Sequence, residues 1–277
     1  MNDAATTTEP AQPAQPEKIA QLAQLLDQAR LERSELSPLS KTHGAFGLEE
    51  AYRILHAGIA LRTARGERVV GCKMGLTSQA KREQMNLGSP IYGMLTDAMR
   101  VPDGATFSLG RSLHAKVEPE IAFITARELS GPVTRAEALA ACSGVCAALE
   151  VIDSRFVGFK YFSLPDVVAD DCSASHFVLG AAPIDPASLG QTGLGDLPMR
   201  LSVDGKLVQS ARSSEISGHP VESLVQLCAM LSAHGHSLPA GSIVMAGAAT
   251  VAVQLLPGME ILLEIDGLGT VSLRTQP

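Results

Sequence analysis

The stretch His114-Ala-Lys-Val-Glu-Pro-Glu-Ile-Ala-Phe123 sets two glutamates, Glu118 and Glu120, one residue apart inside an otherwise apolar run. Side chains of an extended segment alternate between faces, so these two carboxylates converge on one spot. Convergence is costly unless something positive lies between them, whether a proton, a lysine or a divalent cation. Further acids in Glu150-Val-Ile-Asp153 favour a metal. Three carboxylates are hard oxygen donors, suited to Mg²⁺ or Mn²⁺ rather than Zn²⁺. The competing reading rests on Pro119, which lacks an amide hydrogen and points to an edge strand or bulge, where two solvated glutamates are ordinary. Against it, Val117, Ile121, Ala122, Phe123 and Ile124 read as a buried strand, where charge is seldom left without a partner.

Working outward, 277 residues allow one large mixed-sheet domain or two units, and 45% hydrophobic against 18% charged residues provide for a sizeable core. With 22 basic and 29 acidic residues the net charge is −7. No basic block stands out, which argues against nucleic acid and anionic membrane as partners and for small molecules. Five scattered cysteines fit free thiols in a reducing cytosol, and Cys142 and Cys146 fall four apart in a stretch that reads as helical. The chain shows neither a signal peptide nor an apolar run long enough to span a bilayer, so a cytoplasmic location is expected.

Residues 1–16, rich in Ala, Thr, Pro and Gln, are expected to form a flexible tail. A helical subdomain with the first core strand is expected over 17–86, and a catalytic β-rich domain over 87–277. Ile19, Leu22, Leu25, Leu26 and Ala29 repeat at helical spacing, as do Leu48, Ala51, Tyr52, Leu55 and Ile59. Arg68–Gly75 reads as a strand, with Thr77-Ser78 capping a short helix to Met85. Thr134-Arg-Ala-Glu137 is a capping box that opens an alanine-rich helix to about Ala148. A short helix over 166–170, a strand over 175–179, a hairpin turn at Val203-Asp204-Gly205-Lys206 and a helix from Val221 to His234 follow. The last forty residues read as short strands of a meander or closing barrel.

Six stretches in order carry a resemblance: Gly71-Cys-Lys-Met-Gly-Leu-Thr-Ser78, Ser89-Pro-Ile-Tyr-Gly93, Lys116-Val-Glu-Pro-Glu120, Leu149-Glu-Val-Ile-Asp-Ser-Arg155, Val168-Ala-Asp170, and Pro239-Ala-Gly241 through Ala246-Gly247. Together, from about Phe46 onward, they resemble the Mg²⁺-dependent hydratases and decarboxylases of meta-cleavage aromatic catabolism, within the fumarylacetoacetate hydrolase superfamily. The resemblance implies an α+β fold, a mixed β-roll or barrel core with the N-terminal helices packed outside. It implies that Glu118, Glu120 and Glu150 bind Mg²⁺, with Mn²⁺ as a substitute. It also implies that Lys73 and Asp170 act in catalysis, and that Lys73, Thr77, Tyr92, Ser173, Ser175, His176 and Lys160 surround the substrate. The Asp-x-Ser-x-Arg-Asp-x-Gln run of the hydrolases is absent where this chain reads Ile152-Asp-Ser-Arg-Phe-Val157, which disfavours C–C hydrolysis.

The expected reaction is decarboxylation of 2-oxo-3-hexenedioate to 2-hydroxypenta-2,4-dienoate, in which the conjugated C2 ketone accepts the electrons released with CO₂. Hydration of that dienoate is the alternative, and a non-catalytic partner of such a hydratase the third. The resemblance further implies a 2-oxo dicarboxylic acid as substrate, a homo-oligomer, and a complex with the pathway hydratase. An ammonium at Lys73, mid-strand between Val70 and Leu76, requires an anion and suits the substrate carboxylate or proton transfer at the enolate. Lys160, Arg155, His176 and Lys116 are candidates for the second carboxylate that only the decarboxylase must hold. His176 stands where the decarboxylase branch can carry arginine. His234 and His236 read as a solvated helix end.

Overall fold

The computed structural model describes residues 16–78, 90–160, 163–189 and 193–277. Two amphipathic helices open it, α1 (Pro16–Glu32) and, after the short α2 (Leu39–Thr42), α3 (Leu48–Ala64). Ile19, Leu22, Ala23 and Leu26 of α1 and Ala51, Tyr52, Leu55 and Ile59 of α3 are buried together in one apolar cluster. Arg30 and Arg65 close on Asp27 at 2.9 and 2.6 Å. Pro16 begins α1, and the rest of the expected tail lies outside the described residues, as does the expected helix to Met85 beyond Ser78.

Two sheets follow. The larger is built from β1 (Val69–Gly75), β2 (Ile91–Thr96), β3 (Arg100–Val101), β5 (Lys116–Thr125), β6 (Cys142–Ile152), β7 (Ala174–Leu179) and β10 (Ile243–Met245), in the order β2-β1-β10-β5-β6-β7-β3, with β11 (Val253–Gln254) pairing on β5. It is mixed, since β1–β10 and β3–β7 run parallel and its other pairs antiparallel. The smaller sheet joins β4 (Thr106–Ser108), β8 (Pro198–Val203), β9 (Lys206–Arg212), β12 (Glu260–Ile265) and β13 (Gly269–Gln276) in the order β4-β13-β12-β8-β9. Asp204 and Gly205 turn the expected hairpin between β8 and β9, both with positive φ. Helices α4 (Arg135–Ala140), α5 (Leu164–Ala169) and α6 (Pro220–Ala233) complete the chain. The α+β core with helices outside is as expected.

Two expectations are corrected. The Thr134 capping box forms, its side chain accepting from Glu137 N, but α4 stops at Ala140, and Cys142–Ile152 is the strand β6 rather than the end of a helix. Gly144-Val-Cys-Ala-Ala-Leu-Glu has no polar stripe, so alanine's helical preference yields to pairing with β5 on one side and β7 on the other. Cys142 and Cys146 therefore lie on a strand, Cys146 fully buried. Pro119, in turn, sits on a central strand rather than an edge. Its carbonyl accepts from Ala249 N at 3.2 Å, between the segments of β5 paired with β10 and with β11. A residue's N–H and C=O point the same way in a strand, so the donor that proline lacks falls where the ladder is already interrupted.

Candidate active site

Register builds the site. Glu118 stands directly across from Glu150, and Glu120 across from Ala148, whose methyl group leaves room for the carboxylate. One carboxylate oxygen from each of Glu118, Glu120 and Glu150 lies within 4.8 Å of the others, and among the described residues this is the one group of three or more acidic, His or Cys side chains so arranged. Lys73 reaches the same face through the chain of neighbours Lys73–Met245–Ala122 across β1, β10 and β5. Its Nζ lies 3.1 Å from Glu150 Oε2, outside hydrogen-bond geometry, and donates to the Cys172 carbonyl at 3.2 Å.

Glu120 Oε2 accepts from Gly247 N at 2.9 Å, whereas Glu120 Oε1 and both oxygens of Glu150 are buried without a hydrogen-bond partner. Gly247 is required for this anchor: its φ is +104°, and a Cβ there would meet Thr77 at 2.5 Å. Burial, then the charge of Glu150, pushes the Glu120 carboxyl well above the usual range, with Lys73 opposing. Burial likewise raises Glu150 against Lys73. Burial alone would lower the Lys73 ammonium, but Glu150 and then Glu118 hold it well above its ordinary value, so it is charged at neutral pH. Three converging carboxylates with orphaned buried oxygens fit a divalent, oxygen-seeking cation.

The Cys172 carbonyl is aimed by an unusual backbone. Asp171, Cys172 and Ser173 have φ of 51°, 52° and 60°, a run of left-handed residues none of which is glycine. Neighbours fix it in place. Arg155 clamps Asp170 through its Nε, through its backbone N at 3.0 Å, and through Nη2 to the Asp170 carbonyl at 2.9 Å. Asp171 Oδ1 accepts from Met94 N at 2.7 Å, and a Cβ on Gly93 would lie 2.6 Å from the Asp171 carbonyl oxygen.

A cavity of about 580 Å³ opens on the cluster, lined by Lys73, Thr77, Lys116 and Glu118 and by apolar Ile91, Ile152, Phe159, Leu164, Val167 and Val251. Of the expected site residues, the fold thus brings together Glu118, Glu120, Glu150, Lys73 and Thr77. It does not bring the others to the cavity wall. Asp170 is buried in its pair with Arg155, and Ser173 contributes its carbonyl to Asp153 N. Tyr92 faces away, stacked on Tyr52 with ring centroids 4.6 Å apart, because Gly93 and not Tyr92 stands opposite Lys73. Ser175 and His176 line a different cavity, and Lys160 is exposed. His234 and His236 are exposed as expected, yet their rings pack on Tyr52 and His56. The Cys172 carbonyl and Gly247 amide were invisible to sequence reasoning, being backbone groups. Lys116 was legible by alternation, since Lys116, Glu118 and Glu120 share a face; it also sits 4.3 Å from the Phe159 ring centroid.

Comparison with known proteins gives the chain its relatives. The model of the fumarylacetoacetate (FAA) hydrolase C-terminal family matches residues 63–275. A 4-oxalocrotonate decarboxylase from a Pseudomonas species is 43% identical over 231 residues, 83% of this chain and 88% of that protein. A 2-hydroxyhexa-2,4-dienoate hydratase from Comamonas testosteroni is 37% identical over 86% of this chain and 90% of its own. The solved 4-oxalocrotonate decarboxylase from Pseudomonas putida G7, complexed with magnesium and adipate, superposes with a TM-score of 0.91 at 33% identity, covering 96% of this chain and all of that one. With its motifs, its paired glutamates and this degree of likeness, the chain belongs to the fumarylacetoacetate hydrolase family.

Proposed function

We propose that the protein is a divalent-metal-dependent decarboxylase that converts 2-oxo-3-hexenedioate (4-oxalocrotonate) to 2-hydroxypenta-2,4-dienoate and CO₂, with Mg²⁺ held by Glu118, Glu120 and Glu150 and Mn²⁺ as a substitute. The observation that carries this reading is the set of orphaned carboxylate oxygens beside Lys73, opening into a cavity whose wall holds a second ammonium, Lys116. When bound, the cation supplies Lewis acidity at the C2 carbonyl and a charge to fix the C1 carboxylate.

The chain's own groups do the rest. Lys73 has three N–H donors; the Cys172 carbonyl takes one and Glu150 attracts another, which leaves one for the C2 oxygen as negative charge grows there. Lys116 stands one strand repeat, about 6.8 Å, from Glu118 on the same face, and a six-carbon diacid spans a comparable length. It is assigned to the C6 carboxylate. The apolar wall of Ile152, Phe159, Leu164 and Val167 favours neutral CO₂ over the carboxylate it replaces. As the C5–C6 bond breaks, its electron pair forms C4=C5, the C3=C4 pair moves to C2=C3, the C2=O π pair goes to the C2 oxygen, and that oxygen takes a proton, a donation assigned to Lys73.

The test is purified protein with 2-oxo-3-hexenedioate, with and without Mg²⁺, following CO₂ and the dienol. CO₂ release that needs the metal and disappears in Glu120→Gln is the expected outcome, and activity indifferent to chelation overturns it. The hydratase reading, favoured by the Comamonas relative, requires water addition to the dienoate without CO₂ release. Lys116→Met sharpens the choice: it is expected to raise KM for the diacid about tenfold or more, the loss of one charge-assisted contact.

A further inference from the structure

A second cavity, of about 460 Å³, lies where the end of α1, α3, the segment after β4 and the start of β7 meet, and it shares no lining residue with the glutamate cavity. In a chain of net charge −7 it gathers five arginines, Arg30, Arg33, Arg62, Arg111 and Arg155. Three are spoken for: Arg30 by Asp27 at 2.9 Å, Arg62 by Glu67 at 2.7 Å, and Arg155 by Asp170. Arg33 and Arg111 are not. Arg33 donates to the carbonyl of Gly110, which sets it beside Arg111, and among the described residues neither guanidinium has a carboxylate within 4.0 Å.

His176 supplies the buried part of the wall. Register pairs it with Val151 and pairs Phe177 with Glu150, so the imidazole projects from the face opposite the metal-binding carboxylates. Its ring meets Phe107 edge-on at 4.8 Å, and its Nδ1 lies 2.9 Å from Ser175 Oγ. Among the described residues the hydrogen bond of the ring is made at Nδ1, not at Nε2. Burial, followed by the fields of Arg111, Arg62 and Arg30, pushes its pKa down to about 3, so it is neutral at physiological pH. A neutral imidazole carries one hydrogen, and in the tautomer that places it on Nε2 the Ser175 hydroxyl donates to Nδ1 and Nε2 is a donor. The two carboxylates in the cavity wall, Glu67 and Asp153, are engaged by Arg62 and by the Leu113 and His114 amides, so two guanidinium groups with no carboxylate within 4.0 Å among the described residues, and one imidazole, are left to meet an oxyanion.

We propose that this cavity is a second ligand site, separate from the reaction centre, which binds a small multiply charged oxyanion, a dicarboxylate or a phosphate, through Arg33, Arg111 and His176. Carboxylate and phosphate share this chemistry, and the experiment separates them. The metal-loaded full-length protein is titrated calorimetrically with inorganic phosphate and, in a second arm, with malonate, each repeated on Arg111→Gln and Arg33→Gln. Both arginines are exposed, so the variants are expected to fold, which an unchanged Mg²⁺ titration verifies.

Saturable binding of at least one anion, weakened about tenfold by either substitution and further by added salt, is the expected result. The anion that binds identifies the ligand class. Absence of saturable binding by both at millimolar concentration overturns the proposal. So does binding that survives both arginine substitutions but is lost in Lys116→Met, since the anion would then sit in the glutamate cavity.

Discussion

Two pairs of buried charges lie close together in this protein, and they are equally sheltered from water. Glu120 and Glu150 are 0% and 1% exposed, Arg155 and Asp170 4% and 3%. Their surroundings differ completely. Asp170 receives the guanidinium, a backbone amide and the Ser154 hydroxyl at 3.4 Å, so its charge is fully answered from within. The glutamates receive one amide hydrogen bond and one ammonium in ion-pair contact, and three of their oxygens have no hydrogen-bond partner. A buried charge that the fold satisfies is part of the scaffold, whereas one left wanting marks the place of a ligand. Asp170, expected in catalysis, is held by Arg155 next to the left-handed segment whose Cys172 carbonyl accepts from Lys73.

The comparison breaks first at Glu120. Glu120→Gln is expected to lower turnover about 10³-fold by removing a metal ligand. In metal-free protein the same change is expected to raise the melting temperature, because one of two repelling buried carboxylates becomes neutral. Thermal denaturation in a chelator measures this, and a fall instead of a rise would mean that the glutamates are already satisfied. Arg155→Met should do the reverse. Removing one partner of a satisfied buried pair is expected to cost about 3–5 kcal/mol, and the double substitution Arg155→Met, Asp170→Leu less than either single one. A double-mutant cycle by urea denaturation checks it; additive losses would show that the pair does not act as a unit. Next in size is the metal itself: Mg²⁺ at 100 times its Kd is expected to stabilise the wild type by about 2.7 kcal/mol and Glu120→Gln by much less.

How much of this was legible in the chain depends on the kind of signal. Alternation on β5 sufficed to put Glu118 and Glu120 on one face, because period-two patterning survives into any strand, and the same period adds Lys116, which the sequence offered only as one of four basic candidates. Lys73 could be found because an ammonium amid apolar residues needs an anion. Alternation also explains which of the expected residues lie away from the glutamate cavity. Tyr92 lies next to Gly93 in a motif, yet adjacent strand residues face opposite ways, and Gly93 took the position across from Lys73. His176 and Phe177 divide in the same manner. The helix expected through Ala148 failed because alanine propensity is local, whereas pairing with β5 and β7 is not. The left-handed turn at 171–173 carries no glycine to announce it, so nothing local marked the Cys172 carbonyl as a site group.

His56 offers a third case, a half-buried polar group held neutral rather than answered by charge, and it sets the smallest expected effect. Its Nε2 lies 3.2 Å from the Tyr92 hydroxyl, and its ring is 5.2 Å from that of His236. Burial, then the charges of His236 and His234, depresses its pKa to about 4. In the unfolded chain the imidazole protonates near its ordinary value of 6.5. Between those two values the unfolded state therefore binds more protons than the folded one, and folding stability rises with pH. Seen from the other side, stability conferred above pH 6.5 is lost as the pH falls toward 4. Because the ring is only part-buried, solvent screening reduces the effect to about 1 kcal/mol. His56→Gln should flatten the profile of urea midpoints between pH 6.5 and 4 relative to wild type while leaving the acid limb below pH 4, where carboxylates titrate, in place. Superimposable profiles would mean that the imidazole accepts its proton as readily in the folded protein as out of it.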